Sequence, residues 1–163
     1  MRVRTNAPIA GCLAAAIAAT VAAQGPRVVD IARVGDRASE QEHEYAGDNT
    51  IDGTIDGRVY RQARGSLSYA LNVYDDTEVA VVCTFRGTEE QRLTFDLLVD
   101  GRKVRTATVV TSSAAPSNVE YRIPRDFTRN LTRLFITLRA VDGPTPGLIE
   151  LRTIQEHLEL GPA

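Results

Sequence analysis

The stretch Leu93–Val110, LTFDLLVDGRKVRTATVV, decides the fold of this chain. Leu93, Phe95, Leu97 and Val99 alternate with Thr94, Asp96 and Asp100, the period of a half-buried strand. Asp100-Gly101 then tolerates the positive φ angles of a tight hairpin turn, and Val104, Thr106, Thr108 and Val110 carry the pattern back. With a loop of two or four residues alike, Leu97 and Val104 are expected on one face, because the two pairings differ by an even number.

Working outward, further strands are predicted at Val28–Val34, Arg58–Ala63, Ser66–Val73, Glu78–Arg86, Val119–Ile123, Leu131–Val141 and Leu148–Ile154. Arg64-Gly65 separates the second from the third, and Asp75-Asp76 makes a turn. Gly35–Thr50 is acidic and polar and is expected to be a long loop, with Asp52-Gly53 and Asp56-Gly57 as turns after it. Pro124–Arg129 has room for one helical turn. About nine strands with regular turn signals and no long helix predict an all-β fold, an antiparallel β-sandwich of jelly-roll type.

The N-terminus reads differently. Arg2 and Arg4 precede an apolar, alanine-rich run from Pro8 to Ala22, and Val21-Ala22-Ala23 supplies small residues for cleavage. Residues 1–23 are therefore expected to be a secretory signal peptide, with a single domain over 24–163 in the secreted or periplasmic space. The run is too short and alanine-rich for a comfortable membrane span. A lipid-modified Cys12 is a poorer fit, because the apolar run follows that residue instead of preceding it. Loss of Arg2 and Arg4, with no acid, takes the formal charge from −2 to −4. That balance, with Lys103 as the single lysine, argues against nucleic acid or an anionic membrane as partner. Cys83 remains as the one cysteine after cleavage, so no intrachain disulfide is expected, and its apolar strand setting marks it as a core thiol.

Several pieces in order resemble the accessory β-sandwich domain that lies C-terminal to the catalytic barrel of β-L-arabinofuranosidase-type glycoside hydrolases. They are Ser39-Glu40-Gln41-Glu42-His43, Gly57-Arg58-Val59-Tyr60-Arg61-Gln62-Ala63, Ser68-Tyr69, Thr84-Phe85-Arg86-Gly87, Phe95–Gly101 and Tyr121-Arg122-Ile123-Pro124. The chain departs from that pattern at Arg64-Gly65-Ser66-Leu67 and at Pro146-Gly147-Leu148-Ile149. The resemblance implies the sandwich fold, and because the barrel is absent it carries over no catalytic residue.

Among 21 acids, no pair stands in the setting that glycosidase chemistry requires. Glu40 and His43 are candidate ligand-binding residues, three apart, although a structural role tying their loop to the sandwich is preferred. Arg58, Arg61 and Arg64 on one strand offer guanidinium groups to sugar hydroxyls or carboxylates, with pairing to the acidic loop as the alternative. Asp48, Asp52 and Asp56 begin like a calcium loop, but Val59 occupies the position of the required glutamate, so plain turns are preferred to a metal site. No cofactor is expected. With no Trp and only Tyr45, Tyr60, Tyr69, Tyr74 and Tyr121 as polar aromatics, the chain is poor in stacking platforms. Asn130-Leu131-Thr132 is formally a sequon and is taken as incidental. The expectation is an exported, non-catalytic module for extracellular or cell-wall carbohydrate. The alternative is a structural domain that meets an envelope protein partner through a sheet face.

Overall fold

The computed structural model describes residues 25–156, so the expected signal peptide lies outside the described residues. Nine strands follow in order: β1 (Arg27–Arg33), β2 (Ala46–Ile55), β3 (Arg58–Asn72), β4 (Val79–Phe85), β5 (Gln91–Val99), β6 (Arg102–Thr111), β7 (Ser117–Ile123), β8 (Arg133–Asp142) and β9 (Leu148–Gln155). One short helix, α1 (Arg37–Glu42), and a 3-10 turn at Arg125–Phe127 complete the elements.

The pairing resolves into two antiparallel layers. One runs β2-β3-β8-β5-β6 and the other β1-β9-β4-β7. They are joined by a single pair, Arg61 with Leu148, where β3 touches β9. The layers face each other across an aromatic core: Phe95 of β5 packs edge-on against Phe85 of β4 and Tyr121 of β7, both at 5.9 Å between ring centroids. Leu134, Ile136 and Leu138 of β8 are fully buried, as their alternation predicts. The antiparallel sandwich is the fold.

Four local expectations need correction. The long loop predicted at Gly35–Thr50 contains α1 and the start of β2. Asp36 caps α1, its carboxylate accepting the Ala38 and Ser39 N–H groups at 3.0 and 3.2 Å, and a six-residue helix is too short to show a helical period. Asp52-Gly53 lies inside β2, whereas Asp56-Gly57 is the true turn, with φ of 49° and 74°. Arg64-Gly65 does not end a strand: it is a bulge opposite Asn49 within the continuous β3, and the Asp48 carboxylate lies over the bare Gly65. The count of nine strands agrees only because this merger compensates for the unforeseen β2.

The fourth correction concerns the opening hairpin. Asp100-Gly101 forms the expected turn, with φ of 48° and 75°. Past Leu98 and Lys103 the register slips, so that Leu97 faces Arg105. Val104 still packs on the core beside Leu97, but the bulge hands the inner face to Ala107, Val109 and Thr111 and turns Val110 out to 55% exposure. A single extra residue exchanges the faces of a strand, and only the bulge, which parity cannot foresee, introduces it. On the outer face Asp96 is covered by Thr106, Lys103 and Arg139 at 2.6, 2.8 and 3.0 Å.

Candidate functional site

The segment Val59–Ala63 of β3 leaves β8 and runs between β2 and the start of β9. Neighbouring side chains there point to opposite faces, and each face gathers a cluster.

Arg61 serves the first face. Its Nη2 donates to Glu40 Oε2 at 2.9 Å, its Nη1 lies 3.6 Å from Asp52 Oδ2, and its guanidinium sits 4.4 Å above the Tyr45 ring. Tyr45 in turn packs on the fully buried Tyr69 at 5.0 Å. Burial pushes the Tyr69 hydroxyl far above the ordinary tyrosine range, so this ring is a neutral wall. Glu40 also accepts the Gly35 N–H at 2.8 Å.

His43 stands apart from Glu40. It is 3% exposed, with Nδ1 2.6 Å from the Ser39 carbonyl oxygen and Nε2 3.1 Å from Asp30 Oδ1. Asp30 further accepts the Asn72 N–H at 2.7 Å, so this pair locks α1 to β1 and β3. Arg58 and Arg64 are exposed, and no described side chain pairs with either. Asp48, Asp52 and Asp56 are strung along β2 and its turn, roughly 13 Å apart by strand rise, too far to share one ion. Among the described residues no three metal-ligating side chains cluster.

The second face was not anticipated. Tyr60, Gln62 and Arg86 meet there. The Arg86 guanidinium carbon lies 4.3 Å from the Tyr60 ring centroid. Gln62 donates through Nε2 to the Thr145 carbonyl at 3.2 Å, which aims Oε1 at Arg86 Nη2, 3.5 Å away. Two glycines make room: a Cβ at Gly53 would fall 2.3 Å from the Tyr60 ring, and one at Gly147 would fall 2.6 Å from Arg86 Cδ. Tyr60 comes from one segment of the family resemblance and Arg86 from another, so their joint presence was the one signal in the sequence that pointed here.

The family model for a family of unknown function, DUF6805, matches residues 25–154. The chain belongs to that family. This DUF6805 domain also shares its fold with solved carbohydrate-binding modules. It is similar to a family 35 module from an environmental isolate, at a TM-score of 0.60 and 11% identity, covering 78% of this chain and 96% of that one. It is similar to a family 35 module from Clostridium thermocellum, at 0.53 and 12%, covering 80% and 98%. An exo-β-1,3-galactanase from Phanerochaete chrysosporium matches at 0.54 and 11%, over 76% of this chain and 28% of the enzyme. At such identities the likeness establishes the fold alone. No curated protein matches the chain in sequence. No described helix is long and apolar enough to cross a membrane.

Proposed function

We propose that this DUF6805 domain is an exported, non-catalytic carbohydrate-binding module, an accessory of glycoside hydrolase systems as the resemblance to the β-L-arabinofuranosidase-type domain implies. The observation that carries the reading is the gathering of polar and cationic side chains on both faces of one strand segment, Val59–Ala63, in a fold shared with carbohydrate-binding modules. Glu40 and Arg61 offer a carboxylate and a guanidinium to sugar hydroxyls, and His43 positions them by holding α1. Arg58 and Arg64 flank them as exposed cations. Tyr60 and Tyr45 are covered by arginines, so recognition rests on hydrogen bonds more than on open aromatic stacking.

The competing reading places a protein partner on the outer face of the five-stranded layer. Phe135 and Val141 of β8 and Val110 of β6 are 42%, 53% and 55% exposed there, but the first two stand six residues apart, roughly 20 Å, and β5 with the Asp96 network separates Val110 from β8. They form no pooled apolar patch, so the sugar reading is preferred. A glycan array spanning arabinan, galactan and uronic-acid polymers tests it. Saturable binding that Arg61→Ala abolishes supports the module; silence across the array at high protein concentration sinks it.

A further inference from the structure

Four arginines among the described residues are partly buried: Arg61, Arg86, Arg133 and Arg152. In all four the Nε is enclosed without a hydrogen-bond acceptor, so that feature does not set one apart. The terminal nitrogens do. Arg61 meets Glu40, Arg133 meets Glu44 at 3.1 Å, and Arg152 meets Glu150 at 3.4 Å. Arg86 alone has no carboxylate within reach among the described residues. Its polar contact is one long hydrogen bond from Nη2 to a neutral amide oxygen, and Nη1 has none.

The surroundings fix this cation in place. Its stem rests on Gly147, whose backbone carbonyl accepts the Arg86 N–H at 2.7 Å. Its guanidinium carbon lies 4.3 Å from the Tyr60 ring centroid, and Tyr60 lies in turn against Gly53. Gln62 is oriented by Thr145. A guanidinium seated over a ring, with its Nε enclosed, is left with its terminal N–H groups to offer, the arrangement that reads two oxygens of a planar or tetrahedral anion. The alternative use of such a residue, an internal ion pair, is missing.

We infer that Arg86, seated on Tyr60 and flanked by Gln62, is an oxyanion-binding site that takes a carboxylate or sulfate-ester group of the bound glycan. The inference rests on the carbohydrate reading for its ligand and on Arg86 itself for its chemistry. The Nη1–Nη2 edge faces the anion, while Gln62 and the Tyr60 ring hold the guanidinium against rotation. Neutral glycans lack the group that this edge reads.

The test uses the full chain, with glucuronate, a 6-sulfated monosaccharide, inorganic sulfate and the matching neutral sugar as probes. Arginine Nε–Hε resonances are followed by NMR, and acidic and neutral oligosaccharides are compared by calorimetry. One or both acidic sugars are expected to shift the Arg86 resonance saturably, the neutral sugar is not, and the relative response to the two acids separates carboxylate from sulfate ester. Arg86→Lys, which keeps the charge and most of the stem, is expected to weaken acidic binding roughly tenfold to a hundredfold. Tyr60→Leu is expected to weaken it in the same direction, with Arg92→Ala as an exposed control. Unchanged acidic affinity in Arg86→Lys and Tyr60→Leu, with unfolding midpoints like the parent, overturns the inference. Neutral glycans binding as well as acidic ones overturns it too while leaving the carbohydrate reading intact. Inorganic sulfate saturating Arg86 with no glycan bound supports the oxyanion site and overturns the carbohydrate reading.

Discussion

Glu40 Oε2 lies 2.9 Å from Arg61 Nη2, and the other oxygen of the same carboxylate accepts the Gly35 N–H at 2.8 Å. One side chain thereby ties helix α1 both to the loop before it and to the strand that carries the candidate site. Glu40→Ala leaves the partly buried Arg61 with Asp52, at 3.6 Å, as its one carboxylate partner beside the Tyr45 ring. A loss of about 1–3 kcal/mol is expected from breaking a charged hydrogen bond of this kind. Urea unfolding of Glu40→Ala, Arg61→Ala and the double variant measures it; additive effects would show that the two residues are not coupled.

Acid should weaken the fold through two carboxylates. Burial alone would raise the Asp30 carboxyl, but the Asn72 N–H, the His43 ring and the Ile31 N–H outweigh it and hold the group below its ordinary value. Hydrogen bonds from Lys103, Thr106 and Arg139 hold Asp96 well below the carboxylate range. A depressed folded pKa gives stability that is complete above the unfolded value, near 3.9, and is lost as pH falls through the folded one. The unfolding free energy is therefore expected to fall below about pH 4. In Asp30→Asn with Asp96→Asn it should start lower at pH 7 and fall less steeply in acid; parallel curves would contradict this assignment.

Gly53→Ala and Gly147→Ala should behave differently. A Cβ at Gly53 meets the Tyr60 ring at 2.3 Å, and the ring is confined beneath Arg86. Overpacking of this kind costs about 1–3 kcal/mol. At Gly147 the new methyl meets the Arg86 stem at 2.6 Å, and displacing that stem gives up only a ring contact and one long hydrogen bond, with no carboxylate pair broken. Thermal unfolding should drop clearly for the first and little for the second, while both weaken any ligand held by Arg86.

Cys83 is fully buried between apolar strand residues, and burial pushes its thiol far above the ordinary range. A thiol reagent is expected to leave the native protein unmodified at pH 8 and to react once denaturant opens it. Rapid native labelling would show that β4 opens locally.

Phe95 contacts rings from the opposite layer on two sides. Phe95→Ala should cost about 3–5 kcal/mol, measured by denaturant midpoint, because no neighbour can collapse into the space without parting the layers.

The sandwich was legible because strand alternation is a local pattern. Leu134, Ile136 and Leu138 announce their burial, and Asp100-Gly101 announces its turn. The candidate site was legible in part: Glu40 and Arg61 were both singled out, and the structure brings them together. Arg58 and Arg64 were grouped with Arg61 by spacing, yet they lie exposed without partners. The sequence marks Tyr60 only as one of five polar aromatics and marks Arg86 not at all as a site residue, because neither has a sequence neighbour that signals its chemistry.

What the sequence by itself determined is the strands other than β2, the turns at Asp56-Gly57, Asp75-Asp76 and Asp100-Gly101, the apolar inner face and the core setting of Cys83. Each follows from residue type and a period of two. Tertiary structure alone decided the register past Leu98, the continuity of β3 through Gly65, and the meeting of Tyr60 with Arg86. Bulges cost only one residue and leave no periodic trace, and a contact across 26 positions depends on which strands the sheet sets side by side. Here β9 passes between β3 and β4, and Gly147 at its entrance leaves the space in which the two meet.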